Sequence, residues 1–520
     1  MIARKSKTIW EFGDFQTPSA LAMEVVTTLR RYGINPFSII EPTCGKGNLL
    51  IHALRVFHNV EHAIGADINK QYLEVLQKQI ELENISISVT CINTDFFITQ
   101  WSSIIDQLVE PILILGNPPW VTSSDLGAIQ SANVPEKSNF QGYAGWEALM
   151  GKSNFDISEW MLLQNIEWLQ SRHGTIAMLC KTMVARKVLL AAWNKNKRIS
   201  SAKIFRIDAK KHFNASVDAC LLIININQGV SDHLCQFFAS LSSLQPESFI
   251  GYRNKTMIPN IATYDELAHL LGGDTNYIWR SGIKHDCAKV MELDRSSQGF
   301  IAGGNAIVDI EDEFLFPLLK SSDVGNNRVA TVRKWLLVTQ KCIGEDTKKI
   351  EALAPKTWEY LHSHRRSFIK RGSSVYRNRP DFSIFGVGDY AFTDWKVAIS
   401  GFYKRLAFVI VGPVAGKPVV FDDTVYFLSC FSQAEAEFIA CLLRSELATT
   451  FYNSLIFWED KRPITIDVLK KLNLRSLARA YGQEDVYISF VLKRSERTAA
   501  KNVDQLRLLE TEEPYNANNE

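Results

Sequence analysis

Residues Phe37–Leu50 read F-S-I-I-E-P-T-C-G-K-G-N-L-L. An oily β-type run stops at an acid, crosses a turn holding two glycines, and re-enters as an apolar helical pattern. A strand–turn–helix passage of this kind brings bare backbone and helix N–H groups close to a ligand. Gly45 and Gly47 permit that approach because neither carries a side chain. The spacing is not G-x-G-x-x-G, and Gly-x-Gly alone fits a plain strand-to-helix turn equally well. What the stretch means depends on its surroundings.

Around it, short β-type runs alternate with helical patterns, as in a parallel sheet covered by helices. The candidate strands are Phe37–Ile40, Ala63–Ala66, Ile87–Ile92, Ile112–Leu115, Thr175–Leu179, Ala202–Ile207 and Ala219–Asn225. Between them, Gln71–Leu82 and Ile157–Leu169 carry apolar residues at helical spacing. The expected fold is α/β: a doubly wound, seven-stranded, Rossmann-like domain over residues 1–230. From Q-G-V-S-D-H onward, short β-like runs mix with aromatics and Gly/Pro turns, which predicts a second, α+β domain over 231–485. Residues 486–520 read as a tail whose acidic, polar end, E-T-E-E-P-Y-N-A-N-N-E, is expected to be disordered.

Acidic residues stand at successive strand ends. Asp67, in A-I-G-A-D-I-N, follows Gly47 by twenty residues, where a carboxylate can accept from two ribose hydroxyls. Asp95, in N-T-D-F-F, ends the third strand, with Phe96 beside it; these suit an adenine amino group and its ring. Each acid taken alone is equally at home as a helix cap or turn former. Upstream, F-Q-T-P-S-A-L-A-M-E-V-V predicts Thr17 at an N-cap and Pro18 at the first helical position. Such a helix start can also receive a carboxylate.

The fourth strand leaves through L-I-L-G-N-P-P-W, Leu113–Trp120. The lone pair of a purine amino nitrogen is delocalised into the ring, so the group is a poor nucleophile until acceptors hold its N–H bonds. The Asn117 amide oxygen and the Pro118 carbonyl are two such acceptors. Pro118 and Pro119 stiffen the turn and contribute no N–H. Trp120 offers a face on which a base can stack, worth about 1–3 kcal/mol, against the few kcal/mol needed to extrude a base from a duplex. A simple turn after a buried strand is the competing reading.

Together these residues resemble the gamma-class S-adenosylmethionine-dependent N6-adenine DNA methyltransferases of restriction–modification systems, of the TaqI and Eco57I types. The motif order F-Q-T-P, E-P-T-C-G-K-G, A-D, D-F, N-P-P-W matches, and S-N-F-D-I-S-E-W-M, G-T-I-A-M-L-C-K-T-M and H-F-N-A-S-V-D-A-C-L-L are similar as well. The resemblance implies that Thr17, Pro18, Glu41, Thr43, Gly45, Gly47, Asp67, Ile68, Asp95, Phe96 and Asn117 hold S-adenosylmethionine. It implies that Asn117, Pro118, Pro119 and Trp120 grip a flipped adenine, with Phe213 closing the other face of the base, and that residues 231–485 form a DNA target-recognition domain. The chain departs from the pattern at Phe155, Asp156 and Met161, where an aromatic contact to the cofactor is expected. The implied chemistry is direct in-line transfer with no covalent intermediate and no metal. No Pro-Cys dipeptide, the nucleophile motif of cytosine-C5 methylation, occurs.

Composition narrows the rest. At 520 residues with 46% hydrophobic side chains, the chain can bury the cores of two or three domains. A net charge of +2 advertises no global polyanion partner, so a nucleic-acid surface must be local. The nine cysteines form no Cys-x-x-Cys and read as reduced thiols, and His285 and Cys287 in H-D-C do not make a metal site by themselves. No run approaches the roughly 18 apolar residues of a membrane span, which predicts a cytoplasmic protein with no membrane partner. One local surface stands out: Tyr360–Pro380 carries Arg365, Arg366, Lys370, Arg371, Arg377 and Arg379 with no acid, as phosphate contacts to double-stranded DNA require. An ordinary solvated helix face remains the alternative. Arg379 or Arg405 could read guanine. No persuasive nuclease core is present, so a cognate restriction endonuclease, where one exists, is a separate chain. The rival functions are an RNA-adenine or protein-glutamine methyltransferase, which face the same lone-pair problem, and a non-catalytic specificity protein.

Overall fold

Strands buried on both faces read as unbroken apolar runs, and Ile39, Ile40, Leu113, Ile114, Leu115 and Ile176 are all fully buried. In the computed structural model these runs form the centre of a ten-stranded sheet. The structure describes residues 16–121 and 156–510, apart from 216, 228, 230, 298, 304 and 305. The chain divides into two compact units, residues 1–262 and 263–520.

In the first unit the elements run α1 (Ser19–Arg31), β1 (Ser38–Glu41), α2 (Asn48–Val56), β2 (His62–Asp67), α3 (Lys70–Leu82), β3 (Ser88–Asn93), α4 (Trp101–Ile105), β4 (Ile112–Gly116), α5 (Ile157–Trp168), β5 (Gly174–Lys181), α6 (Thr182–Asn194), β6 (Ser201–Ile207), α7 (Ala209–Phe213) and β7 (Ala219–Ile226). All seven expected strands are present. Three more, β8 (Cys235–Phe238), β9 (Ser248–Arg253) and β10 (Thr256–Ile258), extend the sheet to the order β10-β9-β8-β6-β7-β5-β4-β1-β2-β3. The expected boundary at residue 230 is therefore too early. β8 pairs in parallel with β6, Ile204 opposite Phe237, so this part of the chain completes the first unit.

Strands β1 to β5 are mutually parallel, whereas β7 runs antiparallel to both β5 and β6. Strand order reverses between β1 and β4, where Ile40 lies beside Ile114. The crevice outside the carboxyl ends of strands at such a switch point is where open α/β sheets bind ligands. Glu41, Asp67 and Gly116 are the last residues of β1, β2 and β4.

The second unit is α+β. It contains a six-stranded sheet and a four-stranded sheet, built respectively on cores around Leu293, Leu315 and Trp335 and around Ala398, Phe421 and Phe427. A C-terminal helix spans Glu484–Glu510. The expected break at residue 485 falls inside its first turn, because Glu484 is held by Arg475 and Arg479 at 2.7 and 2.6 Å. Residues 511–520, most of the expected disordered end, lie outside the described residues. No helix among the described residues is long and apolar enough to cross a membrane.

Candidate active site

The turn after β1 is built by close packing. Gly45 and Gly47 have φ of +53° and +80°, a region that L side chains rarely adopt. A Cβ on Gly47 would lie 2.4 Å from Leu76 Cδ1, and one on Gly45 2.6 Å from Gln16 Oε1. The turn is held on both sides. Gly45 N donates to Asp67 Oδ2 at 2.8 Å, and Lys46 N donates to Gln16 Oε1 at 3.0 Å. Asp67 also accepts from Asn69 N at 2.8 Å, which fixes its carboxylate at the end of β2. Ile68 follows, 49% exposed, an apolar side chain left at the rim.

Glu41 is buried at 2% exposure, and its Oε2 accepts from Leu50 N at 3.1 Å, inside the first turns of α2. Burial pushes its carboxyl well above the ordinary carboxylate range; the Leu50 N–H opposes this, and the neighbouring Asp67 charge adds to it. A cation placed beside these two acids would favour the ionised form of Glu41.

Thr17 differs from expectation. The N-cap of α1 is Pro18, in extended geometry with no side-chain cap, so the helix starts one residue later than predicted. Thr17, 8% exposed, instead turns its hydroxyl to the fourth strand end: Asn117 Nδ2 donates to Thr17 Oγ1 at 3.3 Å. Asn48 Nδ2, at the start of α2, donates to the Thr17 carbonyl at 2.7 Å. One residue thus ties together α1, α2 and the Asn-Pro-Pro turn.

Asp95 lies just past β3, where its Oδ1 accepts from Phe97 N at 2.9 Å, and Thr94 N donates to the Asp67 carbonyl at 3.1 Å. Phe96 is 7% exposed. It packs against Trp101, Trp160 and Trp168 with centroids 5.5, 5.9 and 5.4 Å away. Phe97 beside it is only half-buried.

After β4, Asn117 and Pro119 are half-buried while Pro118 and Trp120 are buried. The Trp120 indole N–H donates to the Leu179 carbonyl at 3.3 Å. Phe213, at the end of α7, meets Trp120 edge-on, with centroids 5.1 Å apart and planes at 68°. A base between two parallel rings would hold them about 7 Å apart, two stacking distances of about 3.5 Å. Phe213 thus touches Trp120 itself rather than facing it across a gap; the short helix that carries it is capped by Asp208, which accepts from Lys211 N.

Sequence reasoning missed Lys181. Its ammonium donates to the Trp120 carbonyl at 3.0 Å and pairs with Asp156 at 2.6 Å, while Ile157 N donates to the Val121 carbonyl at 3.0 Å. The lysine at the end of β5 clamps the far side of the Asn-Pro-Pro-Trp turn. Its sequence signals were its place at the close of an apolar strand and inside G-T-I-A-M-L-C-K-T-M, neither of which singles out the lysine. Met161 is buried in α5, and Phe155 lies outside the described residues.

The second unit gathers the basic run around a cleft of about 390 Å³ lined by Arg365, Arg371, Arg377, Arg379 and Tyr376. Arg366, Lys370, Arg377 and Arg379 are exposed, and Arg365 pairs with Asp381 at 2.8 Å. Arg371 departs from the expected phosphate role. It donates to the carbonyls of Ser383, His285 and Phe368 at 2.6, 3.3 and 3.1 Å and stacks 3.6 Å from the Tyr376 centroid. Its guanidinium holds the cleft wall together.

No family model matches the chain. Among curated proteins, it is 45% identical over 480 residues to the Type II methyltransferase M.NspV of Nostoc sp., covering 92% of this chain and 99% of that protein. Among solved structures, the Type IIL restriction–modification enzyme MmeI in complex with DNA aligns with a TM-score of 0.45 at 12% identity, over 95% of this chain and 76% of that one. A type I restriction–modification methyltransferase subunit from Streptococcus thermophilus aligns with a TM-score of 0.30 at 16% identity, over 43% and 47% of the two chains. With nearly half its residues shared along almost the full length of M.NspV, the chain belongs to the Type II methyltransferases.

Proposed function

We propose that this protein transfers a methyl group from S-adenosylmethionine to N6 of an adenine extruded from double-stranded DNA, at a specific sequence. The observation that carries the reading is the bond from Asn117 to Thr17. It orients the amide, with Nδ2 toward the first helix and Oδ1 to the other side, next to strand ends bearing Glu41 and Asp67.

The residues fit the donor. Asp67, anchored by two backbone N–H groups, presents a fixed carboxylate to a ribose diol. Glu41 complements positive charge. Ile68 and the Asp95–Phe97 turn offer an apolar edge and an acceptor to an adenine ring. When bound, S-adenosylmethionine supplies an electrophilic methyl group on a sulfonium. This chain's own part is then to hold the amine. Asn117 Oδ1 and the Pro118 carbonyl accept the two N6–H bonds, localising the lone pair toward the methyl group. Trp120, pinned by Leu179 and Lys181, supplies the stacking face. An amide does this without adding a charge near the cationic donor. Positioning and polarisation lower the barrier. Arg365, Arg366, Lys370, Arg377 and Arg379 contact phosphates.

The test is transfer of labelled methyl from S-adenosylmethionine to duplex DNA by the full chain, followed by nucleoside digestion. Label is expected in N6-methyladenine, and Asn117→Ala is expected to cut transfer about 10²- to 10³-fold while donor binding persists. Label in cytosine, RNA or protein would overturn the reading.

A further inference from the structure

A second cleft in the 263–520 unit, of about 340 Å³, lies next to the basic one. Three chain segments meet at its floor. Gly282 N donates to the Val425 carbonyl at 3.0 Å, and Lys284 and Phe385 exchange two backbone bonds of 2.9 Å. The approach requires glycine: a Cβ on Gly282 would sit 2.1 Å from the Asp422 carbonyl, and one on Gly386, at φ +74°, 2.4 Å from the Gly282 carbonyl. Phe385 lines this cleft and packs on Tyr376 and under Arg379, which line the basic one, so the two form adjoining parts of one surface.

Three charged side chains border the cleft: Arg462, Lys284 and Asp423. The Arg462 guanidinium lies between Phe402 and Tyr426, 5.3 and 5.2 Å from the ring centroids, and its Nη2 donates to the Asp423 carbonyl at 2.8 Å. Asp423 rides on a tight turn whose preceding residue, Asp422, accepts from Thr424 N and Thr424 Oγ1 at 3.1 and 2.5 Å. Both groups are therefore presented on a stiff frame, as base readers must be.

We propose that this cleft reads a G·C pair of the target sequence, with Arg462, seconded by Lys284, donating to guanine O6 and N7 and Asp423 accepting from cytosine N4. The assignment rests on the DNA-methylating function proposed above. Arg or Lys with guanine and an acid with cytosine are the pairings that major-groove geometry favours. The Asp423 carboxylate repels phosphate, which separates this cleft from its basic neighbour. An A·T pair would set the adenine amino group against the arginine fork.

The test maps every methylated adenine in the genome of cells expressing the full chain, wild type or variant, with rates on matched oligonucleotides. The wild-type motif is expected to contain a G·C pair. Arg462→Ala is expected to relax that one position, cutting discrimination there by about 5- to 160-fold, the 1–3 kcal/mol of a bidentate pair. Asp423→Asn, nearly isosteric, is expected to relax the same position and keeps the test decisive if Arg462→Ala folds poorly. A motif with no G·C pair, or variants that methylate every site uniformly less with the motif unchanged, would overturn the assignment and leave the methylation reading standing. A wild type that methylates no DNA would overturn both.

Discussion

Asn117 Nδ2 lies 3.3 Å from Thr17 Oγ1, so an amide at the end of the fourth strand and a hydroxyl just before the first helix, a hundred residues apart in sequence, act as one unit. Removing each end has a different consequence. Asn117→Ala deletes the proposed acceptor for the amine, and kcat is expected to fall about 10²- to 10³-fold, as when other preorganised polar groups are lost. Thr17→Val only frees the amide to rotate. A fall of about 5- to 10-fold, the worth of one ordinary hydrogen bond of about 1 kcal/mol, is expected in kcat. Single-turnover rates measured beside donor titrations check this; a Thr17→Val enzyme that loses donor binding and keeps its saturated rate would contradict it.

With Glu41 in the proposed donor site, donor binding is expected to depend on pH. Its buried carboxyl holds a proton more tightly in the folded chain than in the unfolded one. The folded state therefore carries the extra proton, and the stability of the unliganded protein falls as pH rises from the ordinary carboxylate range through the raised value. Glu41→Gln removes this cost while keeping an acceptor for Leu50 N. The unliganded variant is expected to melt higher, by about 2–4 °C per kcal/mol recovered, and to bind S-adenosylmethionine more weakly. Wild-type donor affinity is expected to rise with pH as Glu41 ionises, and the Gln variant to lose that dependence. Calorimetric titration and thermal melts at several pH values read both.

Much of this site was legible because its signals are local. The strand-ending acids, the two glycines and Asn-Pro-Pro-Trp each sit where a strand stops, and the burial of Ile39, Leu113 and Ile176 follows from unbroken apolar runs. What was not legible depends on which elements become neighbours. β8, β9 and β10 are short, with a Ser- and Pro-containing loop between β8 and β9 and only Asn254-Lys255 between β9 and β10, so nothing local says that β8 will pair with β6. Thr17 looks like an N-cap until Asn117 claims its hydroxyl. Arg371 looks like five other basic residues, yet the carbonyls of His285 and Ser383, from two other segments, and of neighbouring Phe368 converge on it.

Lys181 is the clearest such case, since its two partners come from either side of the segment that links β4 to α5. Lys181→Met leaves the Trp120 carbonyl without its clamp and Asp156, 8% exposed, without its counter-ion. Breaking a buried pair from one side costs up to about 3–5 kcal/mol, so Tm is expected to drop. Pairing Lys181→Met with Asp156→Asn should restore most of the stability, because no lone charge is left buried. The rate should stay low in the double variant, because the Asn-Pro-Pro-Trp turn is still unclamped. A double variant that regains full kcat would show that Lys181 serves only the fold.

The basic run separates two kinds of arginine by experiment. Arg366, Arg377 and Arg379 are exposed at or beside the cleft. Replacing any one with Ala is expected to weaken DNA binding for all sequences alike. The slope of log K against log salt should fall by about 0.9 for each phosphate that is no longer neutralised, with Tm unchanged. Arg365 is expected to give a smaller change, since Asp381 already competes for its charge. Arg371→Ala should do the opposite of its neighbours. It strands carbonyls of Ser383, His285 and Phe368, so stability is expected to drop by at least about 2 kcal/mol, while the salt slope of the protein that still folds stays as in the wild type. Fluorescence anisotropy across a salt series, paired with melts of each variant, decides between the roles: an Arg371→Ala protein with normal Tm and a shallower slope would return that side chain to the DNA.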